Sequence, residues 1–354
     1  LTGATGFLGA YLLKGLLEKT RADVHCLVRA NSAEEGKQRL KKNLEYYQLW
    51  EEAFAPRLLA LPGDLERPRF GLTDAQYDAL AGELDVIYHN GAMVNFVYPY
   101  RALKPVNVES THEALRLASA KRLKPVHFVS SMSVFMKHGL REGPIYYEDA
   151  DMEEVGVPHG GYGQSKWVSE KLALAAGERG LPVTIFRPDN ILGDRRTGIL
   201  NPTDLAYTLL RAIFKLGTVP DVEIRGGLVP VDFVSDAILH LSARPESFGK
   251  VFHLSSLEQT NFVELFELVT AMGLPIQQVP FSQWKMDFYD LAKRFPEEGF
   301  HAFLPLINQV GVDRLSLPRL DLHNTLTGLE GSSITCPSLD PELIDTYARY
   351  FVKS

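Results

Sequence analysis

The sequence is poor in cysteine, with only Cys26 and Cys336 among its 354 residues. The two lie far apart and form no cluster with the spacing of metal ligands, so we expect no metal site. Cys26 belongs to an apolar, strand-like run, which predicts a buried free thiol. Such low cysteine usage is typical of proteins of the reducing cytoplasm.

An excess of positive charge and a long apolar run are also missing. The net charge is −7, which argues against nucleic-acid binding because that function needs a basic surface. No apolar run is long enough to span a bilayer, and no signal-peptide pattern is present, so we expect no membrane partner. The hydrophobic content of 45% and the charged content of 23% are ordinary for a globular protein.

Short apolar runs alternate with amphipathic stretches over roughly the first 195 residues. This alternation predicts an α/β fold, a Rossmann-type doubly wound parallel sheet with helices on both faces. The predicted strands are 23–28, 57–61, 84–89, 125–129 and 182–186. The predicted helices are 7–19, 32–47 (capped by Ser32), 73–81, 100–120 and 162–179.

The pattern loosens after residue 195, which predicts two domains. Residues 1–195 form the Rossmann domain, and residues 196–354 form a smaller, mostly helical lobe whose segments near 228–256 return to the first domain. Predicted elements of this part are the strand 250–254 and the helices 204–216, 233–241, 262–271, 282–295 and 337–352.

A glycine-rich turn opens the sequence as Thr2-Gly3-Ala4-Thr5-Gly6-Phe7-Leu8-Gly9. In this G-x-x-G-x-x-G spacing, Gly3 permits a sharp bend, Gly6 a close approach of the backbone to a pyrophosphate, and Gly9 the packing of helix on strand. The spacing alone also fits a tight strand-to-helix turn, but its place at the head of a βαβ pattern favours a dinucleotide site. Only Leu1 and Thr2 precede the turn, so the first strand is expected to be truncated in a fragment of a longer polypeptide.

Residues after the next strands suggest which dinucleotide is bound. Arg29 follows the second strand, where NAD-selective folds usually place an acid, and an arginine there accommodates a 2′-phosphate. Arg39 can join it, so NADPH is favoured, although a solvated surface arginine fits the same position. Asp64 is either an acceptor for the adenine amino group or a turn residue. In His89-Asn90-Gly91-Ala92, small residues allow the backbone to run beside the cofactor.

Three polar residues have the chemistry of a carbonyl reductase. Ser131 follows the strand 125–129 at its carboxyl end, and Tyr162 and Lys166 lie four residues apart on one helix face. A phenol has a pKa of about 10, and a fixed ammonium nearby is expected to lower it. Tyr162 would then protonate the substrate oxygen, Ser131 would hold that oxygen, and Lys166 would also bind the nicotinamide ribose.

These residues give the chain a resemblance to the extended short-chain dehydrogenase/reductases. Within them it resembles the thioester reductase (R) domains that terminate nonribosomal peptide and polyketide synthetases, with relatives in carboxylic acid reductases and aminoadipate reductase. The similarity covers essentially the whole chain. It is carried by Thr2–Gly9, Gly63-Asp64-Leu65, residues 89–96, Tyr162–Lys166, residues 186–193 and the closing segment 336–352.

The resemblance implies site residues, a cofactor and a reaction. It implies the catalytic triad Ser131, Tyr162 and Lys166. The NADPH contacts that it implies are the glycine turn, Arg29, Asp64, Leu65, Ala92, Ser130, Pro188 and Ile191. Asn107 matches a family asparagine that helps order the site and is expected among the cofactor contacts, although a helix cap is an equal alternative. The reaction implied is NADPH-dependent release of an acyl or peptidyl thioester from the phosphopantetheine of an upstream carrier protein in a larger megasynthase. Its product is an aldehyde, or an alcohol after a second hydride transfer.

Two other functions fit parts of the same pattern. A nucleotide-sugar epimerase or dehydratase of the extended class would keep NAD tightly bound and would often have an acid in place of Arg29. A non-catalytic, NADP-sensing module would often lack the tyrosine or the lysine, and both are present here.

Overall fold

The computed structural model of the protein describes residues 1–137, 144–261, 266–267, 270, 273, 276–309, 314–316 and 318–353. Strands β1 to β6 are Val24–Val28, Leu58–Pro62, Ile87–His89, Val126–Val129, Ile145–Tyr146 and Val183–Pro188. Strands β7 to β11 are Asn190–Leu192, Thr218–Pro220, Glu223–Gly226, Leu228–Pro230 and Val251–Leu254. Strands β12 to β15 are Thr260–Asn261, Gln277–Val279, Arg314–Ser316 and Arg319–Leu320.

Helices occur both before and after residue 195. Helices α1 to α7 are Phe7–Lys19, Ala33–Tyr46, Asp74–Glu83, Tyr100–Lys104, Ser110–Ser119, Met152–Val155 and Gly161–Glu178. Helices α8 to α13 are Leu205–Leu216, Val231–Ser242, Phe281–Arg294, Leu304–Gln309, His323–Leu329 and Pro341–Lys353. No helix in the described part of the chain combines the length and the apolar character that a membrane crossing requires.

The central sheet is parallel throughout. β1 pairs with β2, and β4 pairs with β3 and with β6, which pairs in turn with β11. Thr2 connects the two parts, because it forms parallel bridges to Leu27 of β1 and His89 of β3. The spatial order β2-β1-Thr2-β3-β4-β6-β11 confirms the prediction of a doubly wound α/β fold. All the carboxyl ends meet at one edge, where ligands bind in such folds.

Helices cover both faces of this sheet. On one face α1 packs against α9, and their buried side chains join those of α2 in one apolar cluster. On the other face α3, α5 and α7 form a second cluster. Local sequence fixes the helix starts: the Ser32 hydroxyl accepts from the Glu35 N–H at 3.1 Å, and Thr73 and Gln76 form a reciprocal capping box.

The predicted helix 100–120 is interrupted. In the structure α4 ends at Lys104, a π-helical turn occupies Pro105–Glu109, and α5 begins at Ser110. Pro105 cannot donate a backbone hydrogen bond, and a widened turn is one way in which a helix accommodates that loss. The π turn buries Asn107, which contacts the site described below.

The chain after residue 195 contains more strands than its sequence suggests. β8 pairs with β13, and β9 lies between β12 and β14. These strands have two to four residues, too few to show an alternating pattern. Within the same stretch, β11 joins the central sheet and α9 packs on one face of it. The predicted helix 262–271 falls mostly outside the described residues, and the boundary at residue 195 stays a prediction.

Candidate active site

The glycine-rich turn is tightly packed at the centre of the sheet edge. Gly3 has a φ of 72°, and a Cβ built there would lie 2.7 Å from Gly91 Cα. A Cβ on Gly9 would lie 1.9 Å from the Gly3 carbonyl oxygen. Both positions therefore exclude any larger side chain. Thr5 and Gly6 are exposed at the start of α1, while the Phe7 and Leu8 side chains are buried in the core.

The N-terminus of α1 offers unpaired donors to an anion. Gly6 is the N-cap residue, and no side chain caps the helix there. The first backbone N–H groups of a helix have no intrahelical acceptor and carry partial positive charge. A bare, glycine-lined start to a helix of 13 residues therefore fits a dinucleotide pyrophosphate.

The loop after β3 forms the second wall of this turn. The Gly91 N–H donates to the Thr2 hydroxyl at 2.8 Å, and the Asn90 amide lies 3.5 Å from the Gly3 carbonyl oxygen. A Cβ on Gly91 would lie 2.8 Å from Leu65 Cδ1, so Leu65 packs directly beside the turn. Ala92 follows and is partly buried. The structure thus brings the predicted residues from three sheet positions together.

The side chains that we expect around the adenosine lie next to β1 and β2. Arg29 is exposed just after β1, and the Arg39 guanidinium donates to the Arg29 carbonyl oxygen. The Arg39 guanidinium therefore lies against the backbone of Arg29. Asp64 is partly buried after β2, and its carboxylate accepts from the Glu66 N–H at 3.0 Å, so it also serves as a turn residue.

The catalytic candidates meet at the carboxyl end of β4. Ser131 caps a short 3₁₀ turn, and its hydroxyl accepts from the Ser133 N–H at 3.1 Å. Tyr162 is the second residue of α7, and its phenol lies beside the Ser131 hydroxyl, which lowers the pKa of the phenol. The Lys166 ammonium, one helical turn further, is buried and donates to the Val129 carbonyl oxygen at 2.8 Å. α7 is thereby tied to the strand that carries Ser131.

Burial dominates the ionisation of this pair. It raises the pKa of Tyr162 above its ordinary value, and the neighbouring Ser131 hydroxyl acts in the opposite direction. Burial also lowers the pKa of Lys166 to about 8, which the Glu170 carboxylate partly offsets. The expected lowering of the phenol pKa by Lys166 is not seen, since burial is the dominant influence on Tyr162. The Lys166 ammonium instead donates to the Val129 carbonyl oxygen.

Asn107 organises the site from inside the π turn. Its side chain accepts from the Met93 N–H at 2.7 Å and donates to the Met93 carbonyl oxygen at 3.1 Å. It also donates to the Ser165 hydroxyl at 2.8 Å. Asn107 therefore fastens the loop after β3 to the helix that carries Tyr162. These bonds give it a positioning role, and direct cofactor contact stays a prediction.

The remaining predicted cofactor residues end the neighbouring strands. Ser130 is buried, and its N–H donates to the Phe186 carbonyl oxygen at 2.7 Å. Pro188 ends β6, paired with Leu254 of β11, and Ile191 lies in β7, partly buried against the core.

A buried polar network behind the site was not anticipated. The Ser130 hydroxyl donates to Glu170 at 2.6 Å, and Glu170 forms an ion pair with Arg187 in which both side chains are fully buried. Arg187 also donates to His253 Nε2 at 2.8 Å, and the His253 N–H donates to Glu148 at 2.8 Å. The only sequence signal was the spacing of Glu170, four residues after Lys166 on α7.

Comparisons with known proteins agree with this geometry. Residues 1–238 match the NAD-binding family described as male sterility protein. The chain is 43% identical to the crystal structure of the terminal R domain from the myxalamid PKS-NRPS biosynthetic pathway, with a TM-score of 0.93. That alignment covers 99% of this chain and 89% of the solved one.

Curated relatives are much longer proteins. A linear gramicidin synthase protein of Brevibacillus parabrevis is 41% identical over 358 residues, which is 100% of this chain and 7% of that protein. The L-2-aminoadipate reductase large subunit of Penicillium chrysogenum is 35% identical over 381 residues, which is 100% of this chain and 27% of that protein. The chain thus spans less than a third of either relative.

Proposed function

We propose that this chain releases an acyl or peptidyl thioester from a carrier protein by reduction, as a terminal reductase domain. The chain belongs to the NAD-binding family described as male sterility protein, and its structure is similar to that of a terminal R domain. The observation that carries the proposal is the position of Ser131 beside the buried Tyr162, at the same sheet edge as the glycine turn. A proton donor beside a dinucleotide cradle is the arrangement that carbonyl reduction requires.

The residues at the sheet edge would hold NADPH. The start of α1 suits the pyrophosphate, and the cations Arg29 and Arg39 suit a 2′-phosphate. When bound, the nicotinamide supplies a hydride to the thioester carbonyl carbon. The other residues that we assign to this cofactor are Asp64, Leu65, Asn90, Ala92, Ser130, Lys166, Pro188 and Ile191.

Tyr162 is the proton donor in the proposed reaction. Its raised pKa keeps the phenol protonated near neutrality, so it can donate to the oxygen as negative charge develops there. Ser131 hydrogen-bonds the same oxygen. The resulting hemithioacetal then loses its C–S bond, and the thiolate takes up a proton while the hydroxyl gives one up, which leaves an aldehyde. A thiol pKa of about 8.5 makes the sulfur an adequate leaving group.

The partner that we assign is the phosphopantetheine of an upstream carrier protein. This chain covers only 7% and 27% of the length of two relatives. These shares favour its placement within a larger megasynthase. We assign the lobe 196–354 to the acyl group and place the reaction in the cytoplasm, where the free thiols Cys26 and Cys336 stay reduced.

The experiment incubates the chain with NADPH and an acyl-pantetheine thioester and identifies the product by mass spectrometry. We expect aldehyde or alcohol, whereas free carboxylic acid as the sole product would exclude the proposal. Tyr162→Phe should lower kcat by about a hundredfold or more, because the general acid is lost. Tyr147→Phe, at an exposed tyrosine that is not among the proposed site residues, is the matched control and should retain activity. Equal activity of both variants would contradict the assigned mechanism.

A further inference from the structure

The loop after β3 exposes an unusual run of apolar side chains. In residues 94–98, hereafter the 94–98 loop, Val94, Phe96, Val97 and Tyr98 are all exposed. Isolated exposed apolar residues are common, but a contiguous group of this size marks a surface that meets an apolar partner.

The 94–98 loop is held in place at three points. At its start, Met93 is fixed by both hydrogen bonds of Asn107. Inside it, the Asn95 side chain accepts from the N–H groups of Val97 at 2.9 Å and Tyr98 at 2.8 Å. At its end, a Cβ on Gly161 would lie 2.3 Å from the Tyr98 carbonyl oxygen, so the backbones are in close contact. The exposed side chains therefore project from a fixed backbone.

Phe96 connects this loop to the reaction centre. Its ring lies edge-on to the Tyr162 ring, with the centroids 5.2 Å apart and the planes at 69°. The Phe96 side chain remains 42% exposed. The Phe96 ring is therefore a direct neighbour of the proposed proton donor and is open to a bound molecule.

We propose that Phe96 binds the acyl chain next to the thioester and selects for substrates whose acyl group is apolar there. The inference rests on the proposed function. A thioester carbon has two substituents, the acyl chain and the pantetheine sulfur. The pantetheine arm contains amide groups that need hydrogen-bond partners, whereas the side chains at 94, 96 and 97 are hydrocarbon. The acyl chain is the substituent whose chemistry matches this surface.

The test compares acetyl-pantetheine with octanoyl-pantetheine, which share one arm and differ only in the acyl chain. Phe96→Ala should lower kcat/KM for the octanoyl substrate about tenfold more than for the acetyl substrate, because hydrophobic contact with the longer chain is lost. Phe96→Leu should retain most of the preference. Leu123→Ala, at an exposed apolar residue before the amino end of β4, is the control and should leave the ratio unchanged.

Two results would overturn the assignment. Equal losses for both substrates would mean that Phe96 contacts the pantetheine arm. An unchanged ratio in Phe96→Ala would mean that the ring contacts neither group.

A binding measurement separates this inference from the proposed function. Calorimetric titration uses the amide analogue of octanoyl-pantetheine, in which NH replaces sulfur. It measures the contribution of Phe96 to binding without turnover. Absence of NADPH oxidation by the unaltered chain with either thioester contradicts the proposed function. The affinity of Phe96→Ala for the analogue, expected to fall about tenfold, still decides the role of Phe96.

Discussion

Among single residues, Lys166 is a site group whose charge depends on its surroundings near physiological pH. Burial lowers its pKa to about 8. Above that pH the ammonium loses its proton, whereas burial raises the pKa of Tyr162 and keeps the phenol protonated. Because the proposed site uses the charged Lys166 to bind the nicotinamide ribose, we expect kcat/KM to fall as the pH rises through about 8.

The pH dependence of kcat/KM for an acyl-pantetheine checks this, because it reports groups of the free enzyme. Lys166→Arg should move the descending limb to higher pH in whatever activity remains, since a guanidinium stays charged. The nearby His89 does not interfere, because burial lowers its pKa to about 3 and leaves the imidazole neutral over this range. If the descending limb of the kcat/KM profile stays at the same pH in Lys166→Arg, a group other than Lys166 is responsible for it.

Among single residues, the sequence identifies site residues that lie close together along the chain. Tyr162 and Lys166 are recognisable because helix geometry fixes the effect of a four-residue spacing. The partners of Arg187 are not, because Glu148 and His253 approach it from chain positions 39 and 66 residues away. Only the packed sheet brings them together, and no local pattern records that.

Helix α7 is the element that sets the geometry of the site. It carries Tyr162 and Lys166, and its first residue, Gly161, touches the backbone at Tyr98. Gly161→Ala should displace the 94–98 loop or the start of α7, because the new Cβ would lie 2.3 Å from the Tyr98 carbonyl oxygen. We expect at least about a tenfold loss of kcat/KM, since small misplacements of catalytic groups are costly.

Gly177→Ala, on the same helix, is the matched control. The nearest atom to its new Cβ is 4.0 Å away, which is ordinary contact. This change should stabilise the protein by about 0.5–1 kcal/mol through higher helix propensity and leave turnover intact. Thermal denaturation and steady-state kinetics on both variants test the pair. Full activity of Gly161→Ala would show that the contact with the loop is unimportant.

Long elements with a strong period are predictable from the sequence, and short ones are not. The leucine spacing of α1 predicts the helix 7–19, which matches Phe7–Lys19 in the structure. The π turn at Pro105–Glu109 is hidden in an otherwise continuous helical pattern. Strands such as β12, with two residues, depend on their neighbours for pairing and have no pattern of their own.

For the molecule as a whole, cofactor binding should raise the free energy of unfolding. A ligand at about a hundred times its Kd stabilises the folded state by about 2.7 kcal/mol. We expect NADPH to raise the thermal denaturation midpoint more than NADH at equal concentration, because Arg29 and Arg39 lie together beside β1.

Arg29→Ala should remove most of that difference. Arg21→Ala, at an exposed arginine before the other end of β1, should not change it. Differential scanning fluorimetry of the three proteins with each nucleotide measures the effect. Equal shifts with NADH and NADPH in the unaltered protein would contradict the preference for NADPH.

The buried network also determines how such a domain can be recombined. It runs from Ser130 through Glu170 and Arg187 to His253, and so joins segments on both sides of residue 195. A chimaera that joins the first 195 residues to the lobe of a relative would separate Arg187 from His253. Arg187 would keep its ion pair with Glu170, which lies in the same half of the chain, but a buried donor left without its acceptor still costs about 1–3 kcal/mol. An exchange of lobes between related domains should therefore preserve stability only when the residues of this buried network are exchanged together.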